Sequence, residues 1–257
     1  MSRELEVVIS TKVTKKTHFS HPEHELELKN YQKPYCCDGC KEQGYGPRYR
    51  CELCDFDLHK ECMFPSLTTS HEFFQGSTFK FFNQTPAKCS KRNCKENERC
   101  CDACGMDING FVYHCEEKGW DLHPCCRNLE KEIEMDGVNF QLCNKVSKKC
   151  SFCKKKKLPN GVQGWSYVSK SDNYHFHVYC TMQMVVESWK NWPKDNNFLA
   201  LENLELPVLQ ANSFGSGGKG GKFLRIVMAI LRSIVAILLG DPTLIILSTA
   251  IELLPLP

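Results

Sequence analysis

Polar and apolar residues alternate over short runs in the first part of the chain. Residues 24–28 (His-Glu-Leu-Glu-Leu) and 110–114 (Gly-Phe-Val-Tyr-His) place every second side chain on one face, which is typical of brief strands. We expect a helical turn after each of the His-x2-Cys motifs described below. This pattern predicts small β-rich modules with short helices.

The pattern changes towards the C-terminus. Residues 214–222 form a glycine-rich linker, and residues 223–257 are almost wholly apolar. Residues 223–239 have a helical pattern, Gly240-Asp-Pro242 interrupts it, and residues 244–254 form a second apolar stretch. We therefore predict a C-terminal hydrophobic helical hairpin.

The first helical run, residues 223–239, is at the lower limit of length for a membrane span, which needs about 17–25 residues. Arg232 would lie near the bilayer centre at a cost of about 2.5–3.5 kcal/mol. Lys222, Arg225 and Arg232 instead share one helical stripe, which suits a helix at a membrane surface. Docking onto the modules or a partner chain is the alternative.

Three blocks of cysteine and histidine repeat along the chain. Each pairs a Cys-x2-Cys turn with a later His-x2-Cys: Cys37/Cys40 with His59/Cys62, Cys101/Cys104 with His123/Cys126, and Cys150/Cys153 with His177/Cys180. We predict an N-terminal segment (1–17), three modules (18–72, 73–130 and 138–190), a linker (191–222) and the apolar segment (223–257).

Cysteine is abundant, at 18 of 257 residues. The N-terminus has no apolar stretch of signal-peptide length, so we expect an intracellular protein, not secreted, in the cytoplasm with membrane association or in the nucleus. Thiols persist in these reducing compartments and bind metals there. A disulfide framework would need export by an unrecognised route.

In the first module, eight residues have regular metal-ligand spacing. They are His24, Cys37, Cys40, Cys51, Cys54, His59, Cys62 and His71. Thiolate and imidazole suit zinc, and four protein ligands make a closed structural site. Eight ligands therefore predict two zinc ions in this module. Units this small need metal because they bury too little surface to fold unaided.

The motifs resemble the C1 domain of the phorbol-ester and diacylglycerol-binding type, and more closely the plant cysteine/histidine-rich family of divergent C1 domains. The resemblance covers about residues 18–190. It is carried by His18-Phe-Ser-His-Pro22, Arg48-Tyr-Arg-Cys-Glu-Leu-Cys-Asp-Phe-Asp-Leu-His59, Gly119-Trp-Asp-Leu-His-Pro-Cys-Cys126 and Gly164-Trp-Ser-Tyr-Val168. It implies three tandem C1-like zinc modules and a role in signalling or stress responses.

C1 domains interleave their ligands, and this order is carried over by position. It implies four zinc ions: zinc 1 on His24, Cys51, Cys54 and His71; zinc 2 on Cys37, Cys40, His59 and Cys62; zinc 3 on Cys101, Cys104, His123 and Cys126; zinc 4 on Cys150, Cys153, His177 and Cys180. The second site is degenerate in the later modules, because Lys118 and Asp172 stand at the Cys54 position.

Several cysteines and histidines remain unassigned. Cys89, Cys94 and Cys115, together with His114, are candidates for a variant fifth site; buried or idle thiols are the alternative. We expect His18, His21 and His175 to pack or hydrogen-bond locally. His24 is preferred to His21 as a ligand because only His24 gives the x12 interval before Cys37.

Two related activities are not expected. Diacylglycerol binding is disfavoured because the loop between Cys40 and Cys51 is short and its Gln43-Gly44 does not lie just before Cys51. A cross-braced ubiquitin-ligase or plant-homeodomain finger fits the six ligands from Cys37 to Cys62. Cys101 and Cys104 would have to supply its last pair of ligands, but they are followed by a His-x2-Cys motif of their own. The three-module repeat therefore explains more residues than the cross-braced finger does.

The sequence lacks the catalytic signatures of a zinc enzyme, a nucleophile elbow or a phosphate loop. We expect a non-enzymatic interaction or adaptor protein that binds a protein partner and reaches a membrane through 223–257. The formal charge of +3 argues against a dedicated nucleic-acid binder. The alternative is a nuclear DNA- or chromatin-binding regulator using the six lysines within residues 148–157.

Overall fold

The computed structural model describes residues 15–86, 99–135, 138–145, 147–158, 162–171 and 174–183. The predicted linker (191–222) and apolar segment (223–257), as well as Cys89 and Cys94, lie outside these residues. Within them, no helix is both long enough and apolar enough to cross a membrane.

Three four-stranded antiparallel sheets follow one another along the described chain. The first contains β1 (Lys15–His18), β2 (His21–Cys36), β3 (Gln43–Cys51) and β4 (Phe56–Leu58). The second contains β5 (Thr68–Thr69), β6 (Phe79–Phe82), β7 (Val112–Cys115) and β8 (Trp120–Leu122). The third contains β9 (Glu132–Met135), β10 (Val138–Cys143), β11 (Ser166–Ser169) and β12 (His175–His177).

The sheets share one register, centred on a tyrosine in the third strand. Tyr49 pairs with Leu28 and Leu58, Tyr113 with Phe81 and Leu122, and Tyr167 with Leu142 and Phe176. Two residues before the second-strand partner, Leu26, Phe79 and Phe140 are fully buried. Each sheet therefore has a large buried side chain at the same position of its second strand, but the alternation seen in the sequence does not give one buried face throughout, because β7 is buried on both faces and Leu28 is 51% exposed.

Three short helical segments each include the cysteine of a His-x2-Cys motif, so they begin within the motif rather than after it, where a helical turn was expected. A four-residue helix, α1, spans Lys60–Met63, a 3-10 turn spans Cys126–Asn128, and residues 178–183 are helical. A further 3-10 turn spans Glu72–Phe74. These turns bring the last cysteine of each motif back towards its histidine.

The sheets begin earlier than the predicted module boundaries. β1 starts at Lys15, inside the predicted N-terminal segment, and β5 starts at Thr68, inside the predicted first module. β9 starts at Glu132, in the stretch left between the second and third modules. In each case a strand precedes the first recognisable motif, because the short edge strand carries no metal ligand that the spacing could reveal.

Consecutive modules are joined by a repeated contact. The Phe111 N–H donates to Gly39 O (2.9 Å), and the Trp165 N–H donates to Ala103 O (2.6 Å). Gly39 and Ala103 are the third residues of the first two Cys-x2-Cys turns, whereas each donor follows a glycine in the next module. In the described chain, the first and second modules thus each contact the next module through their own Cys-x2-Cys turn.

Candidate metal centres

Four clusters of cysteine and histidine lie in the described chain, and in each the four ligand atoms lie within 4.8 Å of one another. Site 1 comprises His21, His24, Cys51 and Cys54. Site 2 comprises Cys37, Cys40, His59 and Cys62; site 3 comprises Cys101, Cys104, His123 and Cys126; site 4 comprises Cys150, Cys153, His177 and Cys180. The structure therefore brings together every predicted ligand except His71.

Sites 2, 3 and 4 have nearly the same geometry. The histidine Nδ1 lies 3.3, 3.4 and 3.5 Å from the Sγ of Cys40, Cys104 and Cys153. It lies 4.0, 3.9 and 3.6 Å from the Sγ of Cys62, Cys126 and Cys180. A tetrahedral ion with Zn–S of about 2.3 Å and Zn–N of about 2.0 Å requires N···S separations of about 3.5 Å. The donor atoms thus fit one zinc ion per site.

The outer nitrogen of each ligand histidine is held by the backbone. Nε2 of His59, His123 and His177 lies 3.2, 3.1 and 3.3 Å from the carbonyl oxygens of Gln43, Asp107 and Lys156. An Nε2–H that donates to a carbonyl leaves the Nδ1 lone pair for a metal. A backbone carbonyl three residues after the second cysteine of the turn accepts in all three sites, so the histidine rings have the same orientation.

The Cys-x2-Cys turns of these sites are shaped by backbone hydrogen bonds. The Cys37 N–H donates to Glu42 O (2.9 Å), and the Lys41 N–H donates to Cys37 O (2.8 Å). Equivalent pairs close the turns that begin at Cys101 and Cys150. The residue after each turn's second cysteine has a left-handed backbone; two of them, Lys41 and Lys154, are not glycine. In sites 2 and 3 the turn thereby directs both cysteine side chains towards the ligand histidine. The backbone nitrogen of that histidine lies 3.4 Å from the Sγ of the first cysteine in each site.

One thiol of each of these sites is poised to lose its proton. Burial raises the pKa of Cys37, but hydrogen bonds from Cys40 and Cys62 and the nearby His59 outweigh it, so the pKa lies well below its usual value. Cys101 has a lowered pKa for the same reasons in site 3. A hydrogen bond from Cys180 lowers the pKa of Cys150 to about 3. Thiolates are the form that binds metal.

Site 1 uses two histidines from the start of β2. His24 Nδ1 lies 3.2 Å from Cys54 Sγ, and the His21 ring lies 5.6 Å from the His24 ring. Although His21 Nε2 is buried, it has no hydrogen-bond partner among the described residues. Such an orphan nitrogen is costly unless it is ligated. A metal ion shared with His24, Cys51 and Cys54 satisfies it.

His21 therefore corrects the predicted ligand His71. The His71 Nδ1 accepts the Phe73 N–H (3.2 Å), and its ring stacks on Trp165 of the third module, 4.3 Å away. It is engaged in the joint between modules and lies outside site 1. His21 packs locally on Phe56, as expected, and it also belongs to the cluster: the x12 interval selects one histidine, whereas the structure brings together two.

The second module replaces its counterpart of site 1 with apolar packing. Counting along the shared register from the tyrosine pairs, Phe74 stands where His21 stands and Ser77 where His24 stands. His21 stacks on Phe56 at 4.5 Å, and Phe74 lies 4.5 Å from Trp120, the residue equivalent to Phe56. The aromatic contact is kept while the ligands are lost.

The candidate variant site lies partly outside the described residues. Cys115 is buried in β7 and belongs to none of the four clusters, and Cys89 and Cys94 lie outside the described chain. His114 Nδ1 lies 2.8 Å from Asp121, which also pairs with Arg99 at 3.0 Å. In the second module, the buried ion pair of Arg99 with Asp121 therefore lies beside the positions where the ligands of site 1 are missing.

Sites 2 and 3 contact each other's modules. Glu42 of the first module lies 3.3 Å from Nε2 of His123, and Cys125 of the second lies 4.0 Å from Glu61, next to Cys62. Burial is the main cause that raises the pKa of Cys125. The sequence did not indicate these contacts, since neither residue belongs to a ligand motif.

Comparisons with known proteins match one part of this arrangement. The family model for the C1 domain matches residues 19–63. A segment of 45 residues is 53% identical to a protein described as probable nucleoredoxin 1 from Arabidopsis thaliana, covering 18% of this chain and 8% of that protein. Probable nucleoredoxin 3 from the same plant is 49% identical over 41 residues, covering 16% of this chain and 10% of that protein.

The matches are confined to the C1-like region, so the chain spans only a small part of the length of these curated relatives. No solved structure matches the chain. The matched segment contains sites 1 and 2 with all eight of their ligands. Residues 19–63 are therefore a C1 domain, with Cys/His clusters that could each hold a metal ion.

Proposed function

We propose that the chain is a non-enzymatic, zinc-binding interaction protein of the cytoplasm. The observation that carries this proposal is that each of the four clusters supplies four protein ligands. A catalytic zinc keeps one coordination position for water or substrate, whereas four protein ligands make a structural site. Zinc would hold three small modules in fixed orientations, and the modules would present their surfaces to a partner.

The first module offers the most apolar surface for a protein partner. Within the described residues, the five exposed large hydrophobic side chains all lie between residues 19 and 67: Phe19, Leu28, Leu53, Phe64 and Leu67. Leu53 and Leu67 are 81% and 86% exposed. Exposed apolar side chains that recur in one module favour a protein-binding surface there.

An affinity pull-down with full-length chain tests this surface. Partners retained by the wild type should be lost by the double variant Leu53→Ser/Leu67→Ser and kept by the variant Lys60→Ser, which alters an exposed polar residue of the same module. All three proteins should bind the same number of zinc ions. Equal retention by both variants would contradict the proposed surface.

We further propose that residues 223–257 tether the modules to a membrane face, in a signalling or stress response. The support is the basic stripe of Lys222, Arg225 and Arg232 on an apolar helical pattern. Carbonate-resistant membrane fractionation of the full chain, lost on deletion of 214–257, is the expected result. A full chain that stays in the soluble fraction would contradict tethering.

A second candidate, nucleic-acid binding, is favoured by one observation. Six lysines around the turn of site 4 are all exposed: Lys148, Lys149, Lys154, Lys155, Lys156 and Lys157. A basic patch of this kind is the electrostatic footprint of a phosphate-binding surface. Salt-dependent DNA binding that is abolished by replacing Lys154–Lys157 with alanine would support this function, and absence of DNA binding at low salt would exclude it.

A further inference from the structure

Site 1 differs from the other three sites in its accessibility. Cys54 is exposed and both of its histidines are half-buried, whereas all four ligands of sites 2 and 3 are buried. Site 4 is intermediate, because only Cys153 is partly exposed. Dissolved reagents therefore reach the sulfur of site 1 first.

The surroundings of the metal-binding turns explain this difference. The turns of sites 2 and 3 are covered by the next module, which bonds to Gly39 and Ala103. An added Cβ on Gly39 would lie 2.6 Å from the Phe111 ring, so the fit there is close. In site 1 the corresponding turn carries Leu53, which is 81% exposed, and the described residues provide no such cover.

We propose that Cys51 and Cys54 are an oxidation site for hydroperoxides, and that their oxidation expels the metal ion from site 1 alone. This inference rests on the metal loading in the proposed function. Exposed thiolates are the ones oxidised, while buried structural cysteines are inert. The two sulfurs belong to a cluster whose ligand atoms lie within 4.8 Å, so one can resolve the other.

The reaction balances as a two-electron oxidation. The Cys54 thiolate attacks one peroxide oxygen, the O–O bond breaks, and Cys54 becomes a sulfenic acid while the second oxygen takes a proton and leaves as water or an alcohol. The Cys51 thiolate then attacks the Cys54 sulfur, an S–S bond forms, and hydroxide leaves and is protonated to water. A metal ion held there would be left with only His21 and His24 as ligands, and site 1 would release it.

Loss of this ion would act on the joint between the first two modules. His21 begins β2 directly after the turn at Phe19, and it pairs with His18 at the end of β1. The Phe19 ring stacks on Phe111 of the second module at 5.5 Å, and the His18 ring lies 6.0 Å from Phe111. Release of His21 loosens this turn, so the oxidised chain should show faster hydrogen exchange there.

Hydrogen peroxide titration of the zinc-loaded full chain, followed by native mass spectrometry and peptide mapping, tests the proposal. We expect the loss of the mass of one zinc ion with no further change, because both thiols had already given up their protons to bind it, together with a disulfide that maps to Cys51–Cys54 and recovery with dithiothreitol and zinc. The variant Cys54→His keeps a fourth ligand but cannot form this disulfide, so it should retain its ion at the same peroxide concentration. If this variant does not load fully, the disulfide map of the wild type decides.

Two outcomes would overturn the inference: simultaneous metal loss from all sites, or a first disulfide at Cys150–Cys153. A chain that carries no zinc before peroxide is added would instead contradict the proposed function. The number of zinc ions before oxidation therefore tests the proposed function, and the order in which the sites lose their ions tests the oxidation proposal.

Discussion

His18 and His71 occupy equivalent positions, each at or just after the edge strand that opens one of two consecutive sheets. The Nδ1 of His18 accepts the Ser20 N–H at 3.2 Å, and the Nδ1 of His71 accepts the Phe73 N–H at 3.2 Å. Each ring then packs on the aromatic residue through which the next module joins, Phe111 or Trp165. His71 is thus the counterpart of His18 in the contact between modules. The ligand position that the sequence assigned to His71 is taken by His21.

This relationship predicts different results for two histidine substitutions. His21→Ala should reduce the metal content from four ions to three, because the remaining ligands of site 1 leave one coordination position open. His71→Ala should keep four ions and lower the free energy of unfolding, since it removes the stacking on Trp165. Native mass spectrometry and denaturant unfolding measure the two effects. A lost ion in His71→Ala with none lost in His21→Ala would restore the sequence-based assignment.

The shared register predicts that a second metal site can be rebuilt in the second module. The triple substitution Phe74→His, Ser77→His and Lys118→Cys would restore the missing ligands beside Cys115. We expect a fifth ion, detected as one additional cobalt with thiolate charge-transfer absorption. The control is the same triple variant with Cys115→Ser, which should return to four. No increase in a folded triple variant would mean that the register equivalence does not extend to ligand geometry.

The joint between the first two modules should not tolerate a side chain at Gly110. An added Cβ would lie 2.1 Å from Gly39 O, so Gly110→Ala must displace the backbone of the metal-binding turn. We expect a loss of about 1–3 kcal/mol in the free energy of unfolding. Gly76→Ala is the control, because the added Cβ meets nothing within 4 Å and only the left-handed backbone (φ 72°) resists it. Equal losses in both variants would indicate that the joint adjusts freely.

Arg99 should be important for the second module although it binds no metal. It is buried and pairs with Asp121, whose N–H donates to Asp102 beside Cys101. Burial raises the pKa of Asp121, and Arg99 opposes that rise. Arg99→Ala leaves the carboxylate without this partner, at an expected cost of about 3–5 kcal/mol. Thermal unfolding measures it, with Lys80→Ala, which breaks the exposed pair with Glu116, as a control expected to change little. A similar small change in Arg99→Ala would contradict the account.

The residues of sites 2, 3 and 4 carried over from the C1 pattern are the ones that the structure brings together as clusters. In each, a Cys-x2-Cys turn and a His-x2-Cys motif supply two ligands each, so short local spacings made the candidates visible and the resemblance grouped them. Site 1 depends on the pairing of β2 with β3, which spacing does not encode; the eighth position of the C1 pattern therefore fell on His71, and His21 was set aside in favour of His24. The contacts that Glu42, Cys125 and Gly110 make between modules form only when the modules pack together, so no sequence motif predicts them.

The count of metal ions in the intact chain tests the central claim most directly. Native mass spectrometry of full-length protein purified with zinc should show four ions per chain, and His21→Ala should show three. Four ions in the wild type and three in this variant is the result that the account predicts. A wild-type chain that folds with fewer than four ions, or a variant that still holds four, would contradict it.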